Sequence, residues 1–247
     1  MKNIIFLFCL LMLCNLQAQE TEPIQADRPD QTETPAIVPT GMFQVEAGFS
    51  YQKEKPKQTS YTLPSVLLKY GVNENFELRV ITEFNYEKIN NTNQSGFSSV
   101  LVGFKSKLCS ENGIIPKTSF IAHIGLPNFA STKYKTDFFA PQFRFTMQHT
   151  LSKKLSLSYN LGSEWNGFTA EPIFLYTLTT GYSITEKLGS YIELFGFAPQ
   201  NTQSNHNCDG GITYLINNNF MLDLSSGIGL TQTAPNFYMA FGFSFRI

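Results

Sequence analysis

Large apolar side chains alternate with smaller or polar ones along much of the chain. Over residues 237–247, phenylalanine, methionine and isoleucine occupy one parity, and Arg246 with four other residues occupies the other. Residues 43–52 and 76–87 repeat this period of two, with glutamine, glutamate and arginine opposite the apolar face. Successive side chains of a β-strand point to opposite faces, so this pattern predicts strands.

The length of the alternating segments distinguishes a membrane barrel from a water-soluble sandwich. Sandwich strands usually hold about 5 to 6 residues, whereas a transmembrane strand needs about 9 to 11. Tight turns and longer polar loops connect the segments in turn, as in bacterial outer-membrane barrels. We therefore predict an all-β protein, a transmembrane antiparallel up-and-down β-barrel of about 12 strands over residues 42–247, with both ends in the periplasm. The predicted strands are residues 43–52, 60–71, 76–87, 97–108, 117–127, 138–149, 155–164, 171–184, 189–197, 208–216, 220–230 and 236–247.

Composition is consistent with a surface that faces lipid. The chain is 42% hydrophobic and 14% aromatic but only 15% charged, against about 25% charged residues in a typical soluble domain. The net charge is -1, so the chain lacks the strongly basic surface that binds a phosphate backbone. Outer-membrane lipid is therefore an expected partner, and nucleic acid is not.

The first residues form a candidate export signal. Lys2 precedes an apolar run over residues 4–13, and Ala18 offers a small residue for cleavage. The run is shorter than the roughly 20 residues that a membrane helix needs. We expect a signal peptide over residues 1–19 and export to the outer membrane of a Gram-negative bacterium. A lipoprotein signal with Cys14 is the alternative, although Leu13 stands where a small residue is usual.

Two cysteines remain after removal of this signal. Cys109 falls at a predicted periplasmic turn and Cys208 near a predicted external loop. The apolar band of such a barrel is about 25 Å tall, whereas a disulfide needs Cα atoms about 4.4 to 6.8 Å apart. Both cysteines are therefore predicted to be free.

Charged residues fall on the parity opposite the apolar face. A lysine or arginine facing lipid at the bilayer midplane costs about 2 to 4 kcal/mol, so these side chains are expected to point into the lumen. Both signs occur together, which predicts mutual neutralisation; a selectivity filter is the alternative. We expect Arg79 to lie among Glu77, Glu83 and groups of neighbouring strands. The predicted pore-lining residues are Glu46, Lys69, Glu77, Arg79, Glu83, Lys105, Arg144, Glu193, Asp223 and Arg246.

Aromatic residues divide into two sets. Most tyrosines and the single tryptophan fall near predicted strand ends, where such rings sit at headgroup level. Tyr191, Phe195 and Phe197 instead have inward parity in the predicted ninth strand. They indicate an apolar constriction at that strand.

Residues 20–41, here called the N-terminal segment, are polar, marked by proline and without a period, which predicts irregular structure. The segment is either a hydrated periplasmic tail or a lumen plug. As a plug it would pair Asp27, Arg28, Asp30 and Glu33 with charges of the barrel wall. Twelve strands lie between the eight that side chains can fill and the sixteen or more that leave an aqueous channel.

Short motifs link this segment to a known family. Residues 26–35 (Ala-Asp-Arg-Pro-Asp-Gln-Thr-Glu-Thr-Pro), with Val38-Pro39, Gly41 and residues 43–46, resemble the opening motif of an outer-membrane family named for the MetA pathway of phenol degradation. Similar motifs follow at Leu63-Pro64, Lys69-Tyr70-Gly71 and Glu77-Leu78-Arg79. The resemblance implies an outer-membrane barrel with a transport role, but it does not identify the solute.

The C-terminal strand carries a second resemblance. Phe243, Phe245 and Ile247 alternate to the last residue, similar to the signal that the barrel-insertion machinery reads. That signal usually ends in phenylalanine or tryptophan, and Ile247 departs from it. The insertion machinery is therefore an expected partner.

Catalytic motifs are not found in the sequence. It contains no nucleophile elbow, zinc motif, phosphate loop or dinucleotide fingerprint. His206 precedes Asn-Cys-Asp-Gly-Gly, which we interpret as a loop rather than a metal or thiol site. We expect no catalytic residues, metal or cofactor, and a lipid-modifying outer-membrane enzyme is the less favoured alternative.

These patterns predict a channel or transporter for the passive uptake of small solutes, hydrophobic or aromatic ones included. The alternative is a plugged barrel with a structural or adhesive role. The two differ in whether the lumen conducts.

Overall fold

The computed structural model describes residues 22–54, 58–90 and 92–247. Within these residues all strands join one antiparallel sheet, and the pairing of β2 with β3 closes it into a barrel. The predicted signal peptide over residues 1–19 and Cys14 lie outside the described residues. The strands are β1 (Phe43–Lys53), β2 (Gln58–Asn73), β3 (Phe76–Ile89), β4 (Thr92–Phe97), β5 (Val100–Cys109), β6 (Lys117–Leu126), β7 (Ala140–Thr150), β8 (Leu155–Glu164), β9 (Ile173–Ser183), β10 (Leu188–Pro199), β11 (Asn205–Asn217), β12 (Phe220–Gly229) and β13 (Phe237–Arg246).

Strands β4 and β5 are two pieces of one wall strand. Both pair with β3, β4 along its residues 84–89 and β5 along its residues 76–81. Ser98 and Ser99 interrupt the ladder between them. The wall therefore has 12 antiparallel strands, which confirms the predicted fold class.

The prediction of an external loop over residues 88–96 is wrong in part. Residues 92–97 form β4 and extend the hairpin with β3, in which Glu87 pairs with Gln94. Residues 92–96 of β4 are polar on both faces, so β4 lacks the apolar alternation that indicates a membrane strand. The loop predicted at residues 198–207 is also shorter, because β10 ends at Pro199 and β11 begins at Asn205.

The two ends of the barrel differ in their connections. At one end, the turn end, short turns connect β2 to β3, β7 to β8, β9 to β10 and β11 to β12. The longer β5–β6 turn there contains an isolated bridge between Asn112 and Ile115 and a left-handed Gly113. At the opposite end, the loop end, the β6–β7 loop forms two short 3₁₀ turns, Pro127–Phe129 and Thr132–Tyr134. No helix in the described part of the chain is long and apolar enough to cross a membrane.

The two faces of the wall have opposite chemistry. Large apolar side chains point outward, and Phe241 and Ile192 are 57% and 68% exposed. Inward positions are polar yet buried, since Glu77, Lys105 and Thr146 have no exposed surface. An apolar exterior around a polar interior is the arrangement that a lipid bilayer requires of a barrel. Both Cys109 and Cys208 are free, as the strand register predicts.

Candidate functional site

Residues 22–41 of the N-terminal segment lie inside the barrel. Near its start, Ile24 N donates to Asn218 O at 2.8 Å in the β11–β12 turn. Near its end, Gly41 N donates to Gly71 O at 2.7 Å, which directs the chain into β1. The described residues of the segment therefore enter and leave at the turn end, and the chain between them forms a loop within the lumen.

Asp27 is the central contact of this loop. Its carboxylate lies 3.0 Å from Lys69 Nζ, 2.9 Å from Arg79 Nη1 and 3.0 Å from Lys105 Nζ. These cations project from β2, β3 and β5, and register pairing places Lys69 directly opposite Arg79. Burial by itself raises the pKa of Asp27, but the three positive charges outweigh it and hold that pKa well below its usual range.

Further carboxylates neutralise the same three cations. Arg79 contacts Glu77 at 3.1 Å and Glu33 at 2.5 Å, and Lys69 contacts Glu46. Arg79 Nε also donates to His123 Nε2 at 3.2 Å. Because each ion has several charged partners, the cluster can offset the cost of removing these charges from water.

Arg79 is expected from the sequence to lie among Glu77, Glu83 and groups of neighbouring strands, and of the two named carboxylates it pairs with Glu77. In the part of the chain that the structure describes, Glu83 forms no ion pair and accepts a hydrogen bond from Ser65 Oγ at 3.0 Å. The reason is competition, because Asp27 and Glu33 of the N-terminal segment bind the guanidinium group.

The opposite wall holds the segment through neutral donors. Gln31 N donates to Glu193 at 2.8 Å, and Thr32 Oγ1 donates to the same carboxylate at 2.5 Å. Glu33 N donates to Asn160 Oδ1 at 2.7 Å, and the Asn160 amide returns a hydrogen bond to Glu33 O at 3.0 Å. The segment is thus fixed to β8 and β10 as well as to β2, β3 and β5, and it spans the lumen.

Arg28 occupies a slot between two glycines. Gly48 and Gly242 are cross-strand partners, and a Cβ on either would overlap the Arg28 side chain. Asp223 is the next residue along this row, paired with Gly242. Arg28 donates to Asp223 from Nη2 at 2.9 Å and from Nε at 3.3 Å.

This slot gives a testable prediction. Gly48→Ala is expected to displace the guanidinium and lose the contact with Asp223, at a cost of about 1.5 to 3 kcal/mol for hydrogen bonds between charged groups. Single-channel recording should then show a higher conductance than the parent protein. Gly189→Ala is the control, because its Cβ approaches only the Thr213 hydroxyl. Equal conductance of the two variants would contradict a constriction at Arg28.

The segment divides the lumen into cavities. A cavity of ≈ 370 Å³ lies on its turn-end side, lined by Ala26, Thr32 and the β7–β8 turn. Another of ≈ 330 Å³ lies on its loop-end side, lined by Phe195 and Tyr238 among others. Arg28 and Pro29 line both cavities, so these residues separate one cavity from the other.

The predicted pore-lining residues fall into a buried and a half-buried group. Glu46, Lys69, Glu77, Arg79, Lys105, Glu193, Asp223 and Arg246 are buried in the lumen. Glu83 and Arg144 are half-buried, and Arg144 Nη1 donates to Gln31 O at 2.8 Å. Arg246 lies apart at the turn end, where it donates to Glu22 O at 2.7 Å.

Sequence reasoning missed Asn207 and Asp209. Both are buried lumen residues of β11, but they follow His206 in a stretch that was interpreted as a loop. Their parity could have revealed them, because Cys208 between them points the other way. The inward parity predicted for three aromatic residues agrees with their burial, since Tyr191 and Phe195 are buried and Phe197 is half-buried. No group of three potential metal ligands occurs among the described residues.

Comparisons with known proteins give the fold and the family. The structure resembles an outer membrane channel from Pseudomonas putida F1, with a TM-score of 0.72, 11% identity, and coverage of 90% of this chain and 100% of that one. It resembles the NanC porin with a TM-score of 0.56 and 10% identity, covering 83% of this chain and 100% of the porin. The translocator domain of the autotransporter NalP from Neisseria meningitidis gives 0.51 and 12%, covering 85% and 90%.

At these identities the structural likenesses show the fold alone. A search of curated proteins by sequence gives no match. The family match covers nearly the whole barrel together with the segment inside it, since it begins at Ala26 and ends at Ile247. Over residues 26–247, the chain belongs to the outer-membrane barrel family described as "Putative MetA-pathway of phenol degradation".

Proposed function

We propose that this protein is an outer-membrane channel for the passive passage of small solutes, constricted by its N-terminal segment. The observation that carries the proposal is the arrangement of the lumen, in which a cavity lies on each side of the segment and both reach Arg28 and Pro29. A barrel packed solid by its own side chains would leave no such spaces.

The character of the lumen supports this proposal. Its wall carries glutamate, lysine and arginine rather than the apolar residues of a protein core, and polar lumens of membrane barrels admit water. The family match and the similarity to an outer membrane channel from Pseudomonas putida F1 also support the proposal of a channel. No catalytic role is part of the proposal.

Solute size and character follow from the cavities. Neither cavity exceeds ≈ 370 Å³, which suits a small molecule rather than a polymer. Tyr191, Phe195 and Phe197 provide aromatic surface beside polar groups, so hydrophobic or aromatic solutes belong to the proposed range.

A plugged barrel with a structural role is the second candidate. The density of contacts on Asp27, Arg28, Thr32 and Glu33 favours it, because a segment held by many buried ion pairs and hydrogen bonds opens rarely. The two candidates make different predictions for conduction.

Single-channel recording in a planar bilayer tests the proposal. The refolded barrel is compared with a variant that lacks residues 25–39, and circular dichroism confirms that both are folded. We expect small, steady steps from the intact protein and steps several-fold larger from the variant, because removal of the loop joins the two cavities.

The remaining outcomes are also decisive. Silence from the intact barrel with steps from the truncated one would favour the plugged barrel. Silence from both folded proteins, or equal conductance in both, would refute a channel constricted by this segment.

Recognition of β13 by the insertion machinery stays a prediction.

A further inference from the structure

Carboxylates without an ion pair lie in and beside the loop-end cavity: Asp209 lines it, and Glu193 is the cross-strand neighbour of Asp209. Asp30, Glu193 and Asp209 form no ion pair among the residues that the structure describes, in contrast to the Asp27 cluster across the lumen. Burial and the charges of Glu193 and Asp209 raise the pKa of Asp30 well above its usual range. Arg28 lines the cavity but pairs with Asp223, so these three carboxylates have no positive partner among the described residues.

Strand register assembles this wall from β10, β11 and β13. Glu193 pairs with Asp209, and Phe195 pairs with Asn207 in the next inward row. Tyr238 reaches Asp209 by passing over Gly227, the residue between them in the sheet, where a Cβ would overlap the phenol. The phenol donates to Asp209 Oδ2 at 2.7 Å, which fixes one carboxylate oxygen.

Two oxygen atoms in this wall lack a donor. Asn207 and Asp209 are 3% and 6% exposed, and Oδ1 of each has no hydrogen-bond partner among the described residues. A buried polar atom left without a partner destabilises the protein, because it loses its hydrogen bonds to water. Both residues line the cavity, and the terminal torsions of asparagine and aspartate side chains are soft.

Aromatic rings lie beside these oxygens. The Phe195 ring is 6.3 Å from that of Tyr238 and 6.1 Å from that of Phe197, both in edge-to-face geometry. The face of an aromatic ring attracts a cation within about 6 Å of its centre. Arg28 is the cation that the protein itself brings to this cavity, and its guanidinium is engaged by Asp223.

We propose that the loop-end cavity binds a small organic ammonium ion that carries an aromatic group. The ammonium donates to Asp209 and Asn207, and the aromatic group packs against Phe195 and Phe197. A carboxylate would meet repulsion from Asp209 and Glu193, and a hydrocarbon would leave both oxygens without a donor. That this ion is a substrate of the channel rests on the proposed function. Binding of the ion to the cavity does not, because binding is measured without conduction.

Calorimetric titration of the folded barrel in detergent tests the proposal. The probe is 2-phenylethylammonium, compared with neutral 2-phenylethanol and with methylammonium, which lacks the ring. We expect the probe to bind about tenfold more tightly than either, because each lacks one of the two interactions. Binding of 2-phenylethanol as tight as that of the probe would overturn the proposal on the unmodified protein alone.

Variants locate the site. Asp209→Asn keeps an oxygen for the Tyr238 phenol but removes the charge, and we expect binding to weaken about tenfold. Phe195→Leu keeps an apolar wall without a ring, and we expect a loss of about threefold. Glu83→Gln is the matched control, because Glu83 lines the same cavity on another strand. Equal losses in the Asp209 and Glu83 variants would indicate a diffuse negative field and refute a site.

The two proposals can fail separately. Binding by a barrel that never conducts would leave the site intact and refute the channel. Conduction without binding of the probe would leave the channel and refute the site.

Discussion

Asp27→Asn is expected to release the N-terminal segment from the lumen. One carboxylate here contacts Lys69, Arg79 and Lys105 within 3.0 Å, and all three cations are buried. Removing one partner from a buried ion cluster typically costs about 3 to 5 kcal/mol. We expect about 3 kcal/mol, at the lower end of that range, because Glu46 and Glu77 still face the cations.

Two measurements detect the release of the N-terminal segment from the lumen. The single-channel conductance of the variant should rise toward that of the protein lacking residues 25–39. Protease should also cleave within residues 22–41 at least tenfold faster than in the parent, since cleavage tracks the population of the open form.

Asp30→Asn is the matched control for this prediction. It makes the same chemical change three residues along the same segment, but Asp30 has no ion pair among the described residues. Burial and the nearby charges of Glu193 and Asp209 raise the pKa of Asp30 and so favour its neutral form, which asparagine reproduces, so the segment should be held equally well or better. Equal loosening by both variants would show that Asp27 is not the anchor.

The period of the sequence predicts the wall of this barrel but not its contents. Alternation indicates a strand only where one face is apolar, so it does not predict β4, whose residues 92–96 are polar on both faces. The same parity places Lys69, Arg79 and Lys105 in the lumen, because a charge facing lipid is expensive. Wall residues are thus predictable from local pattern and the chemistry of the bilayer.

The N-terminal segment has no period, and its position depends on partners distant in the chain. Thr32 meets Thr177 and Glu193, and Arg28 meets Asp223, across separations of more than 100 residues. Sequence alone left a tail and a plug equally open, because solvent and lumen charges both suit a polar segment. The choice of partner is set by strand register around the whole circumference.

Gly71→Ala is expected to dislodge the end of the segment. A Cβ at Gly71 would overlap the carbonyl oxygens of Val38 and Pro39 and would lie 2.8 Å from the Pro39 carbonyl carbon. These are backbone atoms, which cannot rotate away as a side chain can. Gly71 also exchanges hydrogen bonds with the chain entering β1, through Gly41 N at 2.7 Å and Met42 O at 3.1 Å. Inserting a methyl group into a packed site costs about 1 to 3 kcal/mol.

The expected result is faster proteolysis within residues 36–42 and a lower midpoint for thermal loss of the folded barrel on a denaturing gel. Gly181→Ala is the control, because its Cβ near the same end of the barrel meets only the Ser156 hydroxyl. Proteolysis of the Gly71 variant at the parent rate would mean that the segment yields without strain. Faster proteolysis of the Gly71 variant alone would show that the backbone at Val38 and Pro39 packs against Gly71. This contact joins two of the sequence motifs, Val38-Pro39 and Lys69-Tyr70-Gly71, which are distant in the chain.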